Sequence, residues 1–529
     1  MRKSLLTLVV FATALSAFAQ TWNTTPLWSK DLTPVNDASQ LSNTRTAVTA
    51  DGIVYTTGTF NQAFTFGSST VANDDEMTSA YIAKYSAEGV AQCAVSLYGA
   101  AVIKDMVTDG DGNVYVVGNF AEEVVVNSAD ATSKTIQGMA ETMEKTSVFV
   151  AKYDADLKLM AVRAIVPQDC EELQDDEMYP FLKVIGAEVN RVQVDGDKVY
   201  VSLLWTGDIV VDEMAWKGHY ASIYDMPIDV ASAGIFSLKK ADLTGASSVA
   251  VLGVKENAME QTQEVESVNF TVVNGVVYAG FVGTGTQRLS TANGTEDLTM
   301  EMDDEGNREH AFILVKIGDT TTSKVYHTAK HDKLFQSYAV AKMLVEGENL
   351  YVGGTFYDQL GFDTSKTATG ASDMFVASVR HSDFSVNWTA ISGYDEGDAT
   401  ANEEVMKTMV VNKGKVFMAG VARVMSGHAT LNALTYNISG SGAISAGDNV
   451  EYAAIFDNGA GKTATIVNDG AKTTVTMYGS DEVAGITTIL DAQQRATRVY
   501  NLNGQHVADD ITVLSRGVYI VNGKKVVVR

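Results

Sequence analysis

The chain has 529 residues, 46% hydrophobic and 20% charged, which is ample for a large core or a repeat array. Its formal net charge is -26. A surface this acidic repels phosphate backbones and anionic lipid heads, which makes nucleic acid and membrane surfaces poor partners.

The first residues, "MRKSLLTLVVFATALSAFAQ", have a basic start at Arg2 and Lys3, a short apolar run from Leu5 to Leu15, and the small-residue site Ala17-Phe18-Ala19. That is the pattern of a secretory signal peptide over residues 1–19. The apolar run is too short to span a bilayer, and no later segment is long and apolar enough. An exported chain is therefore expected, at the cell surface or outside, with the periplasm as the alternative. Export permits a disulfide. However, Cys93 lies in an apolar run and Cys170 in an acidic connector, so they are read as separate thiols.

Next comes "PLWSKDL" (26–32), which reads as a lone strand. Six related stretches follow: "IVYTTGTF" (53–60), "NVYVVGNF" (113–120), "KVYVSLLW" (198–205), "VVYAGFVG" (276–283), "NLYVGGTF" (349–356) and "KVFMAGVA" (415–422). Each is preceded by a strand-like run and a tight turn such as "ADG", "DGDG" or "VNG", whose residues accept positive φ in a hairpin. These hairpins are strands a and b of a repeating unit. Strand c follows as "AYIAKYSAEG" (80–89), "VFVAKYDADL" (148–157), "GIFSLKKADL" (234–243), "FILVKIGDT" (312–320), "MFVASVRHSD" (374–383) and, most weakly, "YAAIFDNGAG" (452–461). Strand d follows as "AQCAVSLYG", "LMAVRAIVP", "SVAVLGV", "SKVYHTAK" and "VNWTAISG".

Four antiparallel strands per unit, repeated six times, predict an all-β fold: a six-bladed β-propeller over residues 20–482, with seven blades as the alternative. Middle strands that are apolar nearly throughout suit blades covered on both faces. Gly58, Gly118, Gly354 and Gly420 in strand b remove a side chain where backbones crowd, while repeats three and four carry Leu203 and Phe281 there. Trp28 in the N-terminal strand is placed like Trp388 in a d strand, so residues 26–32 are expected to complete the last blade and close the ring.

The units resemble the bacterial beta-propeller repeat family, most closely in "DGDGNVYVVGNF" (109–120) with "VFVAKY" (148–153), and in the middle pieces "FTFG" (64–67) and "LGF" (360–362). That resemblance implies a propeller outside the cell, usually without catalytic residues. The tail 486–529 breaks the repeat and carries two Asn-Gly turns between apolar runs, at Asn503-Gly504 and Asn522-Gly523. Its stretches "VYNLNGQHV" and "RGVYIVNGKKVVVR" resemble the C-terminal sorting domain of the type IX secretion system, in a short form without the leading Asn-Pro strand. The resemblance implies a small β-sandwich-like domain recognised by the outer-membrane secretion machinery.

Several motifs bear on chemistry. Asp109, Asp111 and Asn113 have the spacing of the first half of a calcium loop, but Phe120 stands where the twelfth-position glutamate belongs, so a hairpin turn is expected. His327 and His331 have metalloprotease-helix spacing, yet Thr328 replaces the catalytic glutamate and the segment reads as the end of a strand, where four residues span roughly 13 Å. Both are read as surface histidines. The long b–c connector of repeat three carries Trp216, His219, Tyr220 and Tyr224, aromatic residues that could stack on a sugar or anchor a protein. The alternative is that they cover the blade's own edge. The connector 168–180 adds Asp169, Glu171, Glu172, Asp175, Asp176 and Glu177, a run that could gather Ca²⁺ or a basic partner; no other cofactor is expected. The sequence thus predicts a binding module for an extracellular glycan or protein, with a propeller glycoside hydrolase or lyase, or a structural scaffold, as alternatives.

Overall fold

The computed structural model describes residues 26–33, 41–67, 69–73, 78–139, 146–168, 185–223, 226–255, 264–304, 306–331, 338–393, 402–412, 414–424, 432–446, 452–455, 463–468, 472–478, 499–501, 506–508, 517–521 and 524–528. The signal peptide, Cys170, the acidic connector and the boundary between propeller and tail lie outside the described residues.

The described residues are strands joined by turns. Blade one comprises Leu41–Val48, Val54–Phe60, Ser79–Tyr85 and Ala91–Tyr98; blade two Ala101–Thr108, Val114–Phe120, Ser147–Tyr153 and Leu159–Ile165. Blade three comprises Gly186–Asp195, Lys198–Thr206, Ser232–Lys239 and Ser247–Val254; blade four Val265–Val273, Val276–Gly283, Ala311–Ile317 and Thr321–Tyr326. Blade five comprises Ala339–Glu346, Asn349–Phe356, Asp373–Arg380 and Val386–Ile391; blade six Asn402–Asn412, Lys415–Val424, Asn432–Ile438 and Ile444–Ala446. A further sheet pairs Tyr452–Ile455, Thr463–Asn468 and Thr473–Tyr478, and Pro26–Leu32 adds as its fourth strand against Thr473–Tyr478. The a strand of each blade contacts the a strands of the blades before and after it, from Leu41–Val48 round to Tyr452–Ile455 and back. The result is a closed β-propeller.

Among the described residues the four-stranded units of this ring number seven, against the six expected. The sixth repeat's c strand is Asn432–Ile438, whereas "YAAI" opens the next unit. The error has a physical cause. Both segments are short apolar runs of the same type, and periodicity does not separate strand a from strand c.

The core lies between blades. Ser79–Tyr85, Val114–Phe120 and Ser147–Tyr153 are buried at every position, as strands covered on both faces must be. One cluster joins Tyr55 and Ile82 of blade one to Ile103, Val116 and Phe149 of blade two. Another joins Trp28, Val475 and Met477 of the closing blade to Val54, Tyr81 and Tyr85 of blade one. Each fully buried large apolar side chain contributes about 1.5–3 kcal/mol.

The recurring tyrosine and lysine tie neighbouring blades. Tyr55 donates its hydroxyl hydrogen to the Ala155 carbonyl in the c–d turn of blade two, at 2.8 Å. Lys84 pairs with Asp156 in the same turn at 3.0 Å. Lys152 of blade two donates to the Lys240 and Ala241 carbonyls of blade three at 2.9 and 3.3 Å. Tyr278 of blade four meets Nδ1 of His381 in blade five at 3.2 Å. The motif "Tyr…Lys" thus recurs because each blade needs the same lock on the next.

The long connectors work sideways. Glu123–Asn127, from the b–c connector of blade two, pairs with strand d of blade one. Thr286–Thr291, from that of blade four, pairs with strand d of blade three. Asp208–Val211, from that of blade three, pairs with Pro167–Gln168 just past strand d of blade two. These hairpins cover outer edges that would otherwise present unpaired backbone groups.

In the tail, Val499–Asn501 pairs with His506–Ala508 and Gly517–Val521 with Lys524–Val528, two hairpins in one four-stranded sheet.

Candidate functional site

The aromatic connector of repeat three folds into two hairpins, Asp208–Val211 with Met214–Trp216 and His219–Ile223 with Met226–Val230. Trp216 is 6% exposed. It stacks on Trp205 with centroids 4.5 Å apart, meets the edge of Phe236 at 5.7 Å, and donates Nε1–H to Ser248 Oγ at 3.2 Å. The ring packs in the core between blades two and three, as in the alternative reading of this connector as cover for the blade's own edge. An indole with an apolar partner on hand gains more by burial than by waiting in water. His219 is half-buried, and its ring lies over Gly253, where an added Cβ would come within 3.3 Å of it. Tyr220 pairs through its backbone with Asp229, and its side chain lies outside the described residues, as does all of Tyr224.

The Asp109 turn is a structural device. Asp109 Oδ1 accepts from the backbone N–H of Asp111 and Asn113, each at 2.9 Å. Its Oδ2 accepts from Asn113 and Tyr115 and pairs with Lys240 at 2.9 Å. Both carboxylate oxygens are thereby occupied by protein donors. Although burial opposes it, these bonds and Lys240 hold the carboxyl below its usual value. His327 follows the end of a strand and is no part of a helix; it is 59% exposed and meets Glu309 at 2.7 Å. Among the described residues no group of three or more His, Cys, Asp and Glu side chains is placed to hold a metal. Cys93 is half-buried, and burial raises its pKa.

Chemical variety concentrates elsewhere, on the innermost strands. In six blades strand a carries a β-bulge near the end where the d–a and b–c connectors lie. The bulged residues are Thr44, Lys104, Asn190, Glu266, Ala341 and Lys407. They are followed by Arg45, Asp105, Arg191, Ser267, Lys342 and Thr408. A bulge frees a backbone N–H and re-aims side chains. The preceding blade accepts the freed N–H. Asn119 accepts from Val189, Ser267 from Val340 and Thr355 from Met406, at 3.3, 3.1 and 3.1 Å.

The bulge also explains the strand-b glycine. Gly58, Gly118, Gly354 and Gly420 stand opposite the residue before the bulge. A Cβ on Gly354 would lie 1.9 Å from the Ala339 carbonyl oxygen. In blade four the bulge sits two residues further along the partner strand, opposite Gly283 rather than Phe281. Only Leu203 of blade three is a true departure among these six strands.

Two clusters sit at this level. Asp105 is buried, accepts from Val192 N–H at 3.0 Å, and lies 3.8 Å from Arg191. Burial pushes its carboxyl up while Arg191 opposes that shift. In blade four, Glu266 contacts the fully buried His310 at 2.6 Å, and His310 stacks on Tyr338, the residue before strand a of blade five, at 5.0 Å. Glu264 is raised by burial and then by Glu266. The sequence hid both clusters, because their residues meet only through the repeated bulge; "REH" (308–310) was the sole local signal.

No family model and no curated protein matches the chain. Among solved structures it is similar to the hemagglutinin-neuraminidase ectodomain of parainfluenza virus 5, at 8% identity over 84% of this chain and 82% of that one, with a TM-score of 0.31. It is also similar to an α-L-arabinanase mutant of Cellvibrio cellulosa, at 10% identity over 58% of this chain and 93% of that one, with a TM-score of 0.24. Drosophila Plexin A in complex with Semaphorin 1b gives 8% identity, 94% and 96% coverage, and a TM-score of 0.28. Similarity at this level adds nothing to the chain's own topology, which defines a β-propeller. Among the described residues no helix is long and apolar enough to cross a membrane.

Proposed function

We propose that the chain is an exported, non-catalytic β-propeller binding module, at the cell surface or released, whose ligand is a glycan or a protein. The ligand is met where the bulged ends of the inner strands converge, and residues 486–529 act as the sorting signal for the outer-membrane secretion machinery. One observation carries this reading. The same bulge recurs in six blades, yet its side chains differ in charge and size from blade to blade, while the packing residues around it repeat. Variation on a constant frame is what recognition requires.

A glycan array with the purified chain, with and without Ca²⁺, tests the binding half. Specific binding supports it; absence of binding to every glycan and to surface-protein extracts removes it. For the tail, deletion of 486–529 should trap the protein in the periplasm without unfolding the propeller. Equal appearance outside the cell would make the tail a structural appendage.

A propeller glycoside hydrolase or lyase is the second reading, favoured by the raised carboxyl of Glu264 beside Glu266. Two neighbouring carboxyl groups, one of them with its protonated form favoured by burial, are a starting arrangement for such chemistry. Release of shorter products from an array ligand, lost in Glu264→Gln, would favour it over simple binding.

A further inference from the structure

The seams between blades are not alike. At one position of strand c the side chain points to the next blade. It is Ile82 in blade one, Val150 in blade two, Ile235 in blade three, Leu314 in blade four and Val376 in blade five. Each lies in an apolar cluster shared with that next blade. In blade six the position is held by Thr435, which stands opposite Ala419 as Val376 stands opposite Gly353.

Blade seven meets it with the same chemistry. Its Val475 and Met477 turn to blade one, so Thr474 and Thr476, which alternate with them, turn to blade six. Thr465 of strand b pairs with Thr476, and Thr476 with Ser29, which puts three hydroxyls in a row across that face. The corresponding faces of blades two and five carry Phe149, Ala151 and Tyr153, and Phe375, Ala377 and Val379.

The tyrosine–lysine lock is missing here too. Phe417 stands where blades one to five have Tyr55, Tyr115, Tyr200, Tyr278 and Tyr351. Asn437 stands opposite Phe417 as Lys84 stands opposite Tyr55. Blade seven has no c–d turn to receive a lock, because its outer strand, Pro26–Leu32, comes from far away in the chain. The Oδ1 of Asn437 is buried without a hydrogen-bond partner among the described residues, which weakens the seam further.

Parting any of the apolar seams bares Ile, Val and Phe to water. Parting the outer half of this one bares hydroxyls and an amide, which water solvates. Pro26 and Tyr478, the two ends of the ring, pair with each other on blade seven, so a pull on the chain at either end is felt on that blade first. We propose that the ring parts reversibly between the outer strands of blades six and seven, with blade seven staying on blade one, so that the fold carries one built-in opening joint. Such a joint belongs to the frame and does not depend on which ligand the ring binds.

The test is the rate at which single buried cysteines react with dithiobisnitrobenzoate in the otherwise intact full chain, in a Cys93→Ser, Cys170→Ser background. Thr435→Cys and Thr465→Cys probe the joint from its two sides; both threonines are buried. Val376→Cys probes the seam between blades five and six, and Val475→Cys the seam between blades seven and one. Thermal melting checks that each variant folds, and either threonine variant alone keeps the comparison available. Cysteines at the joint should react at least about tenfold faster than the one at Val376, since opening there exposes less apolar surface. The cysteine at Val475 should be as slow as the one at Val376. Equal rates at the joint and at Val376 overturn the proposal. Fast reaction at Val475 as well overturns it too, because blade seven then unfolds as a whole.

Discussion

The indole of Trp28 covers Gly89 so closely that a β-carbon there would come within 2.6 Å of Cδ2, and its Nε1–H is donated to the Ala87 carbonyl at 3.0 Å. Trp28 belongs to the strand that completes the closing blade, and Gly89 to the c–d turn of blade one. Trp388 in blade five treats Gly442 of blade six in the same way, with a closest approach of 3.0 Å. The contact between blades five and six is thus repeated at the joint that shuts the ring.

Trp28→Ala should therefore cost about 3–5 kcal/mol, the range for a large buried aromatic removed from a core. Gly89→Ala should also destabilise, because its φ is +77° and the new methyl has no room. Urea unfolding measures both. An unchanged midpoint for either would mean that the joint closes without this contact.

The strand-b glycines give a graded prediction. Gly354→Ala places a methyl 1.9 Å from a backbone oxygen, which cannot move without breaking the bulge. A loss of about 2–4 kcal/mol is expected. Gly283→Ala meets its nearest atom at 3.4 Å and should cost far less. Equal losses would show that the bulge does not set the requirement.

Trp216→Ala should lower stability by about 3–5 kcal/mol, since the ring fills a core shared with Trp205 and Phe236. Glycan affinity of the folded variant should stay at the wild-type value. A loss of affinity with an unchanged melting temperature would return Trp216 to the site.

Glu264 sets a pH dependence. Its folded pKa is raised, so the fold favours the protonated form. That contribution is present below the pKa of a free glutamate, about 4.3, and is lost as pH rises through the folded value. Glu264→Gln should thus melt higher than wild type at neutral pH, with the advantage vanishing in acid. Parallel melting curves at both pH values would contradict this.

The frame was legible because its causes are local. Tyr55, Lys84 and their counterparts mark each unit, since every blade must lock on the next, and Asp-Gly or Asn-Gly pairs mark the a–b turns. What could not be read depends on register. Phe281 aligns with Gly118 by counting from the tyrosine, yet the bulge in blade four lies two residues on, at Gly283. A bulge has no composition of its own, so the side chains it brings to one level are scattered in sequence from Thr44 to Thr408. Trp216 was ambiguous for another reason. An aromatic residue in a connector is the same symbol whether it faces solvent or Trp205, and only the path of the hairpin onto blade two decides.

The closing strand has a consequence in time. Ser29 meets Thr476 across 447 residues. Synthesis from the amino end delivers Pro26–Leu32 long before its partner Thr473–Tyr478. Until then the segment waits as a half-apolar ribbon, with Trp28 and Leu32 uncovered, beside a blade one whose own outer edge is not sheathed until blade two arrives. Contacts of such long span are slow to form. The interval between emergence and closure is therefore when this protein is most open to aggregation and proteolysis, and when a holding chaperone has most to do.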